Sequence, residues 1–179
     1  MNVEMAVHAL AVSTEGGPCA IVLRGVRLPV MLPIAISAPQ AAAIAAVRFQ
    51  FRRPLTHDLA CIVLGELRAT AERVVIHDVQ GSTFIARLEV SKEGQEHAID
   101  SRPSDAIALA VRLNLPVLVT SDVLSRADGV RWGEAGKDGA GSNDRRDAEG
   151  ESRSERSHIS TEQLAAYRDV IETLDLESL

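Results

Sequence analysis

Two short segments hold most of the residues able to do chemistry. Arg53-Pro-Leu-Thr-His-Asp58 and Arg102-Pro-Ser-Asp105 share one grammar: an arginine, a proline, a hydroxyl residue and an aspartate. Asp100 stands just ahead of the second, in Ile99-Asp-Ser-Arg-Pro-Ser-Asp105. Guanidinium groups grip phosphate oxygens two at a time. Aspartates are hard oxygen ligands of the kind that hold Mg²⁺ or Mn²⁺, and the imidazole of His57 can give or take a proton near neutral pH. Together these types suit hydrolysis of a phosphodiester. His57, Asp58, Asp100 and Asp105 are the candidate catalytic residues, with Arg53, Arg102, Thr56 and Ser104 as candidate phosphate contacts. The spacing leaves the identity of any metal open.

A second account of the same residues needs no chemistry. Proline fixes its own φ and drives its predecessor out of helical space, so Pro103 marks a helix start with Arg102 as the last non-helical residue. Ser104 and Asp105 then fall in the first turn, beside unpaired N–H groups and the positive end of the helix dipole. Capping is their ordinary use there, and an arginine of one helix start could pair with the aspartate of the other. On that account the chain is a binding or regulatory module with a structural ion-pair network. Capping does not require Asp100 or Arg102.

These segments need elements to hold them. The N-terminal third reads as strands at 3–12, 19–24 and 27–36, broken by Glu15-Gly-Gly-Pro18 and Gly25. An alanine-rich helix follows from Ala38, with Pro39 suited to its first turn. A second helix has Thr56 as its expected N-cap, Leu59, Ile62, Val63 and Leu67 at helical spacing, and an end near Ala69. Residues 73–79 and 82–90, separated by Gln80-Gly81, form the strongest hairpin signal, and 95–100 reads as a third strand. Ala106-Ile-Ala-Leu-Ala-Val111 is an apolar helix body, Leu115-Pro-Val-Leu-Val-Thr120 a short buried strand, and a short helix begins at Ser121. The expected class is α+β: a mixed, largely antiparallel sheet packed with three or four helices.

Both arginine-proline segments, joined by Arg73-Val-Val-Ile76 and Thr83-Phe-Ile-Ala-Arg-Leu88, resemble the bifunctional nuclease domain family. The resemblance runs from about Met1 to Ala127. It implies an α+β fold and nuclease activity on RNA and DNA, with Arg53, Pro54, Thr56, His57 and Asp58 matching in the first segment and Asp100, Arg102, Pro103, Ser104 and Asp105 in the second. Ser37 and Gln40 stand where relatives tend to carry a glycine and a glutamate. The C-terminal part does not clearly match the excision-repair-like helical motif of some relatives.

Composition narrows the alternatives. With 179 residues, 46% of them apolar, the chain can bury one core with an appendage. Residues 1–125 hold 11 Lys and Arg against 12 Asp and Glu, whereas residues 126–179 hold 8 against 13. That distribution excludes a broad basic footprint, and aromatics at 3% leave no stacking platform for single strands. Cys19 and Cys61 have no metal or redox spacing and read as reduced core thiols. No glycine-rich phosphate loop occurs, and no organic cofactor is expected. The run 29–47 is broken by Pro33, Ser37, Pro39 and Gln40, which argues against a membrane span, and a cytoplasmic location is the default. The expected organisation is a domain at 1–127, a disordered linker at 128–158 rich in Gly, Ser and mixed charge, and a helix at 159–179. That helix opens on Ser160-Thr-Glu-Gln163 and carries Leu164, Tyr167, Ile171 and Leu174 on one side. It is too short to be stable alone, so it should dock on its own domain, on a second copy in a homo-oligomer, or on a protein partner through residues 160–176.

Overall fold

The computed structural model describes residues 1–11, 19–49 and 51–127. The expected linker and C-terminal helix lie outside the described residues. The strands are β1 (Asn2–Ala11), β2 (Cys19–Gly25), β3 (Met31–Ile36), β4 (Thr70–Gln80), β5 (Thr83–Lys92), β6 (Gln95–Ser101) and β7 (Val117–Thr120). The helices are α1 (Ala38–Ala45, continued by a 3-10 turn to Arg48), α2 (Thr56–Glu66), α3 (Pro103–Leu113) and α4 (Ser121–Arg126). This is the α+β arrangement expected from the sequence.

All seven strands join one sheet in the order β3-β2-β1-β7-β4-β5-β6. Two antiparallel meanders, β1–β3 and β4–β6, each arise from sequence neighbours. β7 joins them, antiparallel to β1 and parallel to β4. The β4–β5 connection is the two-residue turn Gly81-Ser82, with Gly81 at φ 61°. A side chain is disfavoured in that left-handed region, which is why glycine occupies it. Glu93 and Gly94 both take positive φ between β5 and β6, the signature of a tight hairpin turn.

α3 lies across the inner face of β4 and β5, flanked by α1 and α2. Its start is where Pro103 puts it: Arg102 is the N-cap in extended conformation and Pro103 the first helical residue. Ala106, Ile107, Ala108 and Ala110 are buried, and the small alanines let the helix approach the sheet and its neighbours closely. Ile107 joins Leu10, Ile21, Leu23, Leu32, Ile44, Val74, Ile76 and Val119 in one core. At the far end Asn114 adopts the left-handed conformation that commonly stops a helix.

α2 departs from expectation twice. Its N-cap is Leu55 rather than Thr56, which is the first helical residue. None of its eleven residues is fully buried. The side turned to the domain consists of His57, Ala60, Cys61 and Leu64, each partly covered. Leu59, Ile62, Val63 and Leu67, the residues at helical spacing in the sequence, are between 46% and 55% exposed. Both sides of this helix are apolar, so periodicity alone does not tell which one faces inward.

The core position of Ile107 gives a graded expectation. Ile107→Val should destabilise by about 0.5–1.5 kcal/mol and Ile107→Ala by about 2–5 kcal/mol. Urea unfolding should show shifted midpoints with an unchanged slope. Equal stability of both variants and the wild type would remove Ile107 from the core.

Candidate active site

Three helix starts meet beside α3. At α1 the side chain of Gln40 accepts from the N–H of Ser37 at 2.8 Å. Its amide nitrogen then donates to Ser104 Oγ at 2.9 Å. Ser104 is the buried polar residue of the described region, 4% exposed, and this bond satisfies its hydroxyl. Ser104 therefore links α1 to α3 and does not face solvent as a phosphate contact would. Gln40 has a cap and a cross-link as its visible work.

At α2 the N–H of Leu55 donates to Asp58 Oδ2 at 2.9 Å, so Asp58 closes the first turn. Its other oxygen receives Arg112 Nε at 2.6 Å. Arg112 comes from the last turn of α3, with a side chain only 6% exposed. It also donates to the carbonyls of Ala108 at 2.9 Å and Ala43 at 3.0 Å. One guanidinium thus ties α1, α2 and α3 together. The hydrogen bond from Arg112, supported by the N–H of Leu55, holds the Asp58 carboxyl below the usual carboxylate range. Burial pushes the Cys61 thiol up, which suits an unreactive packing thiol.

The second aspartate behaves differently. Asp105 Oδ2 receives Arg102 Nε at 2.7 Å, and Oδ1 faces His57 Nε2 at 3.4 Å. Among the described residues no backbone N–H is capped by Asp105. The cross-start contact is therefore His57 with Asp105, whereas Arg102 stays on its own helix. His57 and Asp105 retain 18% and 32% side-chain exposure, and Arg102 is mostly exposed, so solvent reaches this cluster. Thr56 is exposed at the first position of α2. Arg53 is exposed just before that helix and makes no hydrogen bond or ion pair with the described residues.

Asp100 lies elsewhere, for a reason of register. Paired residues of neighbouring strands share a sheet face. Ile99 pairs with Leu88 and Ser101 with Ala86, both of which face the core and α3. Asp100 pairs with Arg87, on the opposite face. There Arg87 also holds Glu89 at 2.9 Å, beside Arg73. Asp58, Asp100 and Asp105 consequently do not form one ligand set. Among the described residues no group of three His, Cys, Asp or Glu side chains is placed to hold a metal ion. The arrangement does not fit a Mg²⁺ or Mn²⁺ held by those three carboxylates.

The chain matches the bifunctional nuclease domain over residues 21–130, a span that takes in both arginine-proline helix starts. It belongs to the bifunctional nuclease domain family. Two uncharacterised proteins of Mycobacterium tuberculosis, MT1877 of strain CDC 1551 / Oshkosh and Rv1829 of strain ATCC 25618 / H37Rv, are each 33% identical to it over 126 residues. The matched part covers 69% of this chain and 75% of theirs. No helix among the described residues is long and apolar enough to cross a membrane.

Within this bifunctional nuclease domain, sequence reasoning missed Arg112. A usable signal was present: an arginine inside an otherwise apolar helix, seven residues after Asp105 and so on the same side of it. Such a cation, once buried, needs a carboxylate and carbonyls around it.

Removing Arg112 should therefore act on stability. Arg112→Met should cost at least about 1.5–3 kcal/mol in urea unfolding, the range for hydrogen bonds to charged groups. The pH dependence has a definite sign. Asp58 is depressed in the folded state, so its contribution is present above the unfolded carboxylate pKa and lost as pH falls toward the depressed value. In Arg112→Met that acid-side loss should shrink. An unchanged acid limb would show that Arg112 does not set the ionisation of Asp58.

Proposed function

We propose that this chain is a nuclease, hydrolysing phosphodiester bonds of RNA or DNA at the solvent-reaching cluster of His57, Asp105 and Arg102. The observation that carries the reading is the contact of His57 on one helix start with Asp105 on the other, the carboxylate being held from its far side by Arg102. Family membership agrees with it. With Nε2–H directed at Asp105, His57 keeps the lone pair of Nδ1 to accept a proton from water or a ribose hydroxyl. Asp105 orients the ring and stabilises the imidazolium that forms. Arg102 uses Nε on Asp105, and its remaining donors suit a phosphate oxygen. Arg53 and Thr56, exposed at the start of the helix that carries His57, are proposed as further phosphate contacts. No step is assigned to Mg²⁺ or Mn²⁺, because Asp58 and Asp100 do not converge with Asp105.

Asp58 favours the second reading for its own half of the site. Its ion pair with Arg112 is what a structural network at the helix starts would contain. A non-enzymatic binding or regulatory module follows if His57 and Asp105 serve the same end.

Activity and stability separate these readings. The purified chain is tested on labelled single- and double-stranded RNA and DNA, with chelator and with added Mg²⁺ or Mn²⁺. His57→Ala should lower kcat/KM by about 10²–10⁴-fold, the usual contribution of a general acid or base. Asp105→Asn should produce a smaller loss, with the melting temperature of both variants near the wild type. Cleavage at equal rates by wild type and both variants would sink the nuclease reading. Loss of melting temperature in Asp105→Asn, with no cleavage by any form, would establish the structural one.

A further inference from the structure

The exposed side of α2 is the least ordinary surface of the described region. Leu59, Ile62, Val63 and Leu67 form a stripe along it, Leu55 extends the stripe at the N-terminal end, and Phe49 and Phe51 lie exposed just upstream. Arg52 and Arg53 precede the helix and Arg68 follows it, all exposed. The surface is thus an apolar strip with two cations ahead of its N-terminal end and the pair Glu66 and Arg68 at the other. Soluble domains seldom leave such a contiguous strip uncovered.

We propose that the covering element is the chain's own residues 160–176, docked along α2 as an amphipathic helix. Three properties of the sequence select this occupant. Leu164, Tyr167, Ile171 and Leu174 recur at helical spacing, and the ten steps from first to last span about 15 Å at 1.5 Å per residue. α2, with its eleven residues, offers a stripe of the same length. Charge is complementary as well. Residues 160–179 hold five acids, Glu162, Asp169, Glu172, Asp175 and Glu177, against one base, Arg168, whereas the approach to α2 carries the cations Arg52 and Arg53.

Reach is sufficient. The 32 residues 128–159 separate the segment from Ala127, and a flexible chain of that length has an end-to-end distance of about 30 Å. A 127-residue domain has a radius of gyration of about 14 Å, so every face is accessible. Tethering also places the segment at an effective concentration of the order of millimolar, which compensates for the modest affinity of a short helix.

Hydrogen exchange of the full chain tests this. Backbone amides of both 160–176 and α2 should be protected in the wild type. Ile171→Asp and Leu164→Asp, changes made outside residues 1–127, should speed exchange about tenfold or more in both segments while β4 and β5 keep their protection. Light scattering should give the mass of one chain. Residues 160–176 exchanging at unprotected rates in the wild type would overturn the proposal. So would protection of α2 that is unchanged in both variants. Protection that rises with concentration, with a mass of two chains, would assign the strip to a second copy and overturn it equally.

Discussion

The guanidinium of Arg112 is the constraint on which the helical layer depends. A cation with a side chain 6% exposed loses most of its hydration, and the loss is tolerable only where charge and acceptors replace water. Asp58 supplies the charge from α2, Ala43 a carbonyl from α1, and Ala108 a carbonyl from the preceding turn of α3. Each partner sits on a different helix, so satisfying Arg112 fixes how three helices lie against one another. With α2 held in this way, His57, the neighbour of Asp58, is brought to Asp105. The surface cluster is in that sense a consequence of the buried one.

The two aspartates of the shared grammar have accordingly parted in role. Asp58 accepts from a buried arginine and a backbone N–H, and its ionisation is committed to the fold. Asp105 bonds no backbone, faces an imidazole, and is held by an arginine that remains mostly in water. Ser104 and Gln40 stiffen the start of α3 from behind. A side chain that acts on a substrate benefits from this support, since its position is then set by packing before anything binds.

What the sequence discloses follows from how local each feature is. The start of α3 is legible because Pro103 dictates it within one residue. The β4–β5 hairpin is legible because β-rich runs flank Gly81, whose turn conformation suits glycine. The contact between Asp105 and the first helix start is partly legible, because both segments carry residues that capping alone does not need. The face of Asp100 is not, because it depends on strand register, and a shift of one residue would have put it with the helices. The orientation of α2 is hidden for another reason: its two sides are comparably apolar, so only the tertiary packing of α3 selects one. Arg112 and Gln40 act through partners 54 to 69 residues away, which no local pattern encodes.

β7 is four residues long, yet it is the seam between two three-stranded halves. Each half can pair internally from sequence neighbours, but β1 and β4 acquire their shared neighbour only when residues 117–120 are available. During synthesis, therefore, the first meander leaves the ribosome with β1 as an unpaired edge and stays so until nearly the whole domain has been made. An open edge is a template for another chain. The short central strand makes completion of this sheet a late event in translation, and the edge of β1 stays open until Val117 emerges.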